Sequence, residues 1–106
     1  MDVKEIKSLE AFEKEIKEGI TLIHFSAPWY APCHLQETII QQLADLFKGK
    51  VSIKKMNIDE NNDVALNLGI HSIPTSIIFK NGNEIERFVG LQSKDTLSTP
   101  LIKLLG

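Results

Sequence analysis

The spacing of hydrophobic positions changes several times along the chain, and these changes predict alternating strands and helices. Residues 20–25 form an almost continuous apolar and β-branched run, which is typical of a central strand covered on both faces. Residues 35–47 carry apolar side chains at helical spacing and predict the longest helix, which ends by Gly49. We therefore expect a sheet packed against helices.

Shorter patterns around these two elements complete a βαβαβα order. They predict a strand over 3–6, a helix capped by Ser8 and closed at Gly19, a strand over 51–58, and a helix over 63–68 with cap candidates at 59–62 and a stop at Gly69. Strands that alternate with helices imply right-handed crossovers and parallel central strands.

The C-terminal part of the chain has a different pattern. Asn81-Gly82 lies between the apolar segments 76–79 and 84–89, which is a strong signal for a hairpin with a type I′ turn and makes the sheet mixed. A last helix starts near Ser93. Pro100 lacks a backbone donor, so we expect it to kink this helix or to restart it with Thr99 as a new cap.

Composition limits the classes of function. A chain of 106 residues corresponds to one domain over 1–106, and 12 basic against 14 acidic residues offer no basic surface to nucleic acid. No apolar stretch has the length of a membrane span. The N-terminus lacks the pattern of a secretory signal and the chain has one cysteine, so we expect a cytoplasmic protein without a structural disulfide.

The loop from Ser26 to His34 carries the candidate chemistry, because it joins the central strand to the longest helix. Cys33 lies at the predicted N-terminus of that helix, where the helix dipole and unpaired N–H groups favour a thiolate. The alternative is that Cys33 is a small buried apolar residue, as free cysteines often are. The position of the residue alone leaves both interpretations open.

Five motifs resemble the thioredoxin family in the same order along the chain. They are Ser26-Ala-Pro-Trp-x-x-Pro-Cys33, Asn57-Ile58-Asp59, Ile73-Pro74-Thr75, Lys80-Asn81-Gly82 and Val89-Gly90. The resemblance covers nearly the whole chain. It implies a thioredoxin-like α/β fold with a central mixed five-stranded sheet flanked by helices on both faces, and a cis bond between Ile73 and Pro74.

The chain departs from the family at the first cysteine of the motif Trp-Cys-Gly-Pro-Cys, where it has Tyr30. In the family the first cysteine attacks the substrate, and the second, matched here by Cys33, resolves the mixed disulfide. A phenol oxygen cannot exchange with a disulfide sulfur. The resemblance therefore implies a degenerate site that lacks dithiol turnover and is limited to monothiol chemistry at Cys33.

A second departure concerns the proton acceptor. The family often has a buried Asp on the second strand, close to a Lys on the third, and the matching residues here are His24 and Lys55. We expect no carboxylate beside His24 and a neutral, buried ring whose hydrogen bonds are satisfied. The alternative is that the neutral ring accepts a proton from Cys33.

Metal binding is not expected. Cys33, His34 and His71 would lie near one surface, but adjacent helical residues point about 100° apart and one distant His completes a poor ligand set. The resemblance implies no cofactor.

The resemblance also implies a peptide-binding groove, matched by Trp29, Tyr30, Ile73, Pro74, Val89 and Gly90. Tyr30 would shield the Cys33 sulfur. The implied partners are extended segments of cysteine-containing proteins, and thioredoxin reductase. Two functions follow: a thioredoxin-family redox protein with one thiol, or a non-enzymatic binding module that uses the groove without sulfur chemistry.

Overall fold

A mixed sheet forms the centre of the computed structural model, which describes residues 3–106. β1 and β2 run parallel to β3, whereas β4 is antiparallel to both β2 and β5. The central position predicted for the strand at 20–25 is confirmed, and so is the mixed sheet. In chain order the strands are β1 (Lys4–Ile6), β2 (Ile20–Ser26), β3 (Ser52–Asn57), β4 (Thr75–Lys80) and β5 (Asn83–Val89), and their spatial order is β1-β3-β2-β4-β5.

Helices cover both faces of the sheet. On one face, Leu43 and Leu101 from two helices pack against apolar residues of the sheet such as Leu22. On the other face, Phe12 and Val64 belong to a second apolar cluster, together with the strand residues whose side chains point to that face. The α/β fold implied by the resemblance is confirmed. In chain order the helices are α1 (Leu9–Ile16), α2 (Ala31–Leu46), α3 (Asn62–Leu68) and α4 (Lys94–Leu105), with α2 and α4 on the first face and α1 and α3 on the second.

The hairpin between β4 and β5 has the predicted turn. Asn81 and Gly82 both have positive φ, at 50° and 87°, as the two central positions of a type I′ turn require. The Asn81 side chain accepts a hydrogen bond of 2.9 Å from the Gly19 N–H, and the Asn81 N–H donates to the Gly19 carbonyl at 2.9 Å. The turn therefore also anchors the start of β2.

The last helix differs from the prediction. α4 is continuous through Pro100, and Ser93 caps it by accepting a hydrogen bond from the Thr96 N–H. The expected restart at Thr99 is wrong, because the Thr99 hydroxyl donates to the Asp95 carbonyl instead of capping a new helix. The buried Leu97 and Leu101 lie on either side of Pro100, so packing favours one helix over the break that proline alone would cause.

The ends of two other helices also deviate from the pattern. α1 ends at Ile16, before Gly19, whose φ of +76° leads the chain into β2. α3 begins after Asn61, which lies within the predicted cap region but makes no side-chain capping bond. Gly69 closes α3 in the left-handed conformation, as predicted.

Adjacent positions on α4 provide a test of this packing. Leu101 is fully buried, whereas Ile102 is 59% exposed. We expect Leu101→Ala to lower the free energy of unfolding by about 2–5 kcal/mol because it leaves a cavity between α4 and the sheet. Ile102→Ala is the matched control and should have a much smaller effect. Urea unfolding followed by circular dichroism measures both values, and equal losses would contradict the packing described here.

Candidate functional site

Three strands bring the predicted site segments to one end of the sheet. Ser26 at the end of β2 pairs with Asn57 at the end of β3, while Phe25 pairs with Thr75 at the start of β4. Thr75 in turn pairs with Val89 at the end of β5. The loop after β2, the Ile73-Pro74 segment before β4 and Gly90 after β5 therefore leave the sheet at the same end.

A buried amide pair links α2 to the segment after β5. The Gln36 side chain donates to the Gln92 carbonyl at 3.0 Å and accepts a hydrogen bond from the Gln92 N–H at 2.7 Å. The Gln92 side chain donates to the Val89 carbonyl at 3.1 Å. Gln36 is fully buried, so this pair holds the first turns of α2 and the Val89-Gly90 segment in a fixed relation.

Trp29 and Tyr30 form an exposed aromatic pair before α2. Their ring centroids lie 5.6 Å apart at an interplanar angle of 54°, and the side chains are 68% and 39% exposed. The indole N–H of Trp29 donates a 2.7 Å hydrogen bond to a carboxylate oxygen of Asp59, in the loop after β3. Trp29 is therefore held in place from one side while its ring faces solvent.

The other predicted groove residues lie around a cis peptide bond. The Ile73-Pro74 bond is cis, as the resemblance implies. The Gly90 N–H donates to the Pro74 carbonyl at 2.8 Å, and Val89 is 57% exposed. Within residues 3–106, no hydrogen bond is made by the backbone of Ile73.

Cys33 lies in the first turn of α2, where its N–H donates to the Tyr30 carbonyl at 3.1 Å. The side chain is only 2% exposed. Burial raises the pKa of the thiol above its ordinary value, the negative charge of Glu37 raises it further, and a hydrogen bond with the Ala27 backbone opposes the shift. Of the two interpretations that the sequence left open, burial therefore favours the covered thiol over a thiolate stabilised at the helix N-terminus.

His24 is buried on β2, as expected, with no exposed surface. Burial lowers its pKa from 6.5 to about 4, although nearby Glu37 and the Cys33 backbone partly oppose this shift. The ring is therefore neutral at pH 7. The expectation that its hydrogen bonds are satisfied is wrong, because neither ring nitrogen makes a well-aligned hydrogen bond to any residue in the described part of the chain.

The carboxylate near this histidine comes from a helix, and no pattern noted along the sequence predicted it. Glu37 on α2 forms an ion pair of 2.9 Å with Lys55, whose backbone pairs with His24 across the sheet. The expectation that no carboxylate lies beside His24 is therefore wrong. Glu37 follows Cys33 by four residues, and this spacing, which places two side chains on the same face of a helix, is the signal that could have revealed it.

A polar cavity of about 270 Å³ opens beside these groups. Cys33, His34 and Glu37 line it from α2, and Lys55 lines it from β3. Glu5 on β1, which pairs with Lys55, is a further lining residue. The thiol therefore shares this cavity with charged residues, whereas the aromatic pair of Trp29 and Tyr30 does not line it.

The residues considered for metal binding do not form a set. The Nε2 atom of His34 donates to the Pro28 carbonyl at 2.7 Å, so one ring nitrogen is already engaged. Across residues 3–106 no three His, Cys, Asp or Glu side chains are grouped in a way that could hold a metal ion. In the same range, every helix is too short or too polar to span a membrane.

The sequence model of the thioredoxin family matches residues 3–103. The chain belongs to the thioredoxin family. It is similar to the thioredoxin of Staphylococcus haemolyticus, with 37% identity over 94 residues that cover 89% of this chain and 90% of the relative. A thioredoxin of Staphylococcus aureus is 36% identical over the same shares of the two chains.

Solved structures show the same fold. The thioredoxin of Malassezia sympodialis, an allergen, superimposes with a TM-score of 0.88 at 28% identity, over 99% of this chain and 92% of that one. A mutant thioredoxin of Halobacterium salinarum gives a TM-score of 0.91 at 24% identity over 99% and 92% of the two chains. The chain is thus a member of a redox family, and its own sequence contains a single cysteine.

The buried His24 ring makes stability depend on pH. Its pKa is about 4 in the folded protein against 6.5 when exposed, so the unfolded chain takes up a proton first as the pH falls. The stability contributed by the neutral ring is complete above pH 6.5 and decreases by roughly 3 kcal/mol as the pH falls to about 4.

We expect His24→Leu to remove this part of the pH dependence. The comparison is urea unfolding of both proteins at several pH values between 7.5 and 4.5, with the exposed His71→Gln as control. If His24→Leu and the wild type lost stability equally over this range, the buried ring would not be the group responsible.

Proposed function

We propose that residues 1–106 form a single thioredoxin-like domain whose site, Trp29-Tyr-Ala-Pro-Cys33, is a degenerate form of the thioredoxin site. In this proposal the protein binds extended segments of cysteine-containing proteins and carries out only monothiol chemistry at Cys33. Tyr30 takes the place of the attacking cysteine. His24 belongs to the proposed site as the residue that replaces the proton acceptor, although its low pKa makes it a weak base at neutral pH.

The observation that carries this proposal is the presence of one cysteine in the whole sequence. Reduction of a protein disulfide releases two thiols and takes two electrons, which a dithiol supplies when it becomes a disulfide. With one thiol, Cys33 can only attack one substrate sulfur as a thiolate, form a mixed disulfide and release the other sulfur as a thiolate. A second, external thiol such as glutathione must then cleave the mixed disulfide.

The groove supports the peptide-binding part of the proposal. Trp29 and Val89 expose apolar surface at the end of the sheet where the backbone of Ile73 makes no hydrogen bond to any described residue. Such an edge suits an extended segment, because its backbone can hydrogen-bond to Ile73 while its side chains contact the apolar residues. The glycine at position 90 carries no side chain that would hinder a close approach of the added strand.

A specific observation favours a second function. Cys33 is 2% exposed and its pKa is raised, so the thiol is protonated and covered in the free protein. A thiol in this state is a poor nucleophile. The second candidate is therefore a non-enzymatic module that holds a partner protein in the groove and leaves Cys33 unreacted.

Insulin reduction coupled to NADPH tests the proposal. With thioredoxin reductase alone, we expect no NADPH consumption above background, since the protein cannot form an internal disulfide for the reductase to reduce. With glutathione and glutathione reductase, we expect slow consumption above the rate that these components give without the protein. Cys33→Ser is the matched control and should remove this increment.

Each outcome of the assay has a separate meaning. No increment with glutathione would favour the binding module over the monothiol protein. Rapid turnover with thioredoxin reductase alone would contradict both, because it requires a second thiol.

A Tyr30→Cys variant examines whether the absent thiol is the main obstacle to dithiol turnover. The substitution places a second thiol in the N-cap residue of α2, within one turn of Cys33. We expect this variant to consume NADPH with thioredoxin reductase in the absence of glutathione. A variant that folds but stays inactive would indicate that the surroundings of Cys33, including His24, also prevent exchange.

A further inference from the structure

We propose that His24 and Ser76 form a buried binding site for one internal water molecule, on the face of the sheet that α2 covers. Neither side chain has any exposed surface. The two residues lie directly opposite each other on the antiparallel strands β2 and β4, so their side chains point to the same face of the sheet. The site does not depend on the proposed monothiol chemistry at Cys33.

Three polar atoms of this pair are buried without partners in the described part of the chain. Both ring nitrogens of His24 and the hydroxyl oxygen of Ser76 make no well-aligned hydrogen bond to any of residues 3–106. Buried polar atoms in folded proteins almost always bind protein groups or ordered water, because an unpaired one is strongly destabilising. Three such atoms on one pair of opposed residues point to a ligand that the two side chains share.

The chemistry of the pair favours water as that ligand. The His24 ring is neutral at pH 7, so one of its nitrogens donates a hydrogen bond and the other accepts one. The Ser76 hydroxyl can also donate or accept. A water molecule does both, and can therefore bond to a ring nitrogen and to the hydroxyl at the same time. A charged ligand would require a counter-charge, which neither residue supplies.

The neighbouring pair of residues shows why there is room for a water molecule. Leu22 and Ile78 are the next opposed residues on the same face, and both belong to the apolar cluster that includes α2. Two large aliphatic side chains fill the space between sheet and helix at that level. At the level of His24 one of the two side chains is the small serine, so less of this space is filled by protein atoms.

A crystal structure of the protein tests the site directly. We expect a water oxygen within about 3.2 Å of both the Ser76 hydroxyl oxygen and one His24 ring nitrogen. A hydroxyl that bonds directly to the ring, or the lack of a water molecule within this distance of both groups, would overturn the proposal.

Urea unfolding at pH 7.5 tests whether the two residues share the site in solution. Ser76→Val removes the hydroxyl and fills the space, so it leaves the His24 ring without its water. His24→Leu then removes a polar ring that has no partner, whereas in the wild type it removes one that is hydrogen-bonded. We therefore expect His24→Leu to shift the midpoint of unfolding more favourably in the Ser76→Val background than in the wild type.

Ser98→Ala provides the matched control background. Ser98 is also buried, but its hydroxyl already donates to the Asp95 carbonyl on α4. His24→Leu should have the same effect in this background as in the wild type. If Ser76→Val does not fold, Ser76→Ala, which removes only the oxygen, takes its place. An equal effect of His24→Leu in all backgrounds would show that His24 and Ser76 share no ligand, and would overturn the proposal.

Discussion

The pairing of β2 with both β3 and β4 is the constraint on which the site depends. β2 is hydrogen-bonded on both edges and covered on both faces, so its residues have almost no freedom of position. Because β2 runs parallel to β3 and antiparallel to β4, the C-terminal end of β3 and the N-terminal end of β4 lie beside its last residues. The Cys33 loop and the cis peptide bond before Pro74 therefore lie at the same end of the sheet.

Burial determines the chemistry of this region more strongly than residue type does. A helix N-terminus favours the thiolate form of a cysteine that solvent reaches, but Cys33 is covered and its pKa is raised. A histidine has a pKa near neutrality when exposed, but that of His24 falls to about 4. Both groups are neutral at pH 7, because the desolvation energy of a buried charge exceeds the stabilisation that the nearby groups give to the charged form. The ion pair of Glu37 and Lys55, by contrast, lies where solvent still reaches both side chains.

Much of the fold could be predicted because its signals are local. The apolar run at 20–25 indicated the central strand, and Asn81-Gly82 indicated a turn whose two residues must have positive φ. Pro100 was misleading, because the missing N–H is a local signal, whereas packing of Leu97 and Leu101 against the sheet keeps α4 in one piece. The site was predictable as a set of segments, but the ion pair at its centre joins α2 and β3, which no local pattern connects.

The sequence by itself determined the number of thiols, and with it the limit on two-electron exchange, because a count of sulfur atoms does not depend on conformation. It also determined the order of strands and helices, since the spacing of apolar residues is a property of the sequence itself. Only the tertiary structure decided that Cys33 is a covered thiol with a raised pKa, that the His24 ring makes no well-aligned hydrogen bond within residues 3–106, and that Glu37 pairs with Lys55. Solvation and charge pairing depend on which residues meet in space, and residues that are distant in sequence acquire those neighbours only when the chain folds.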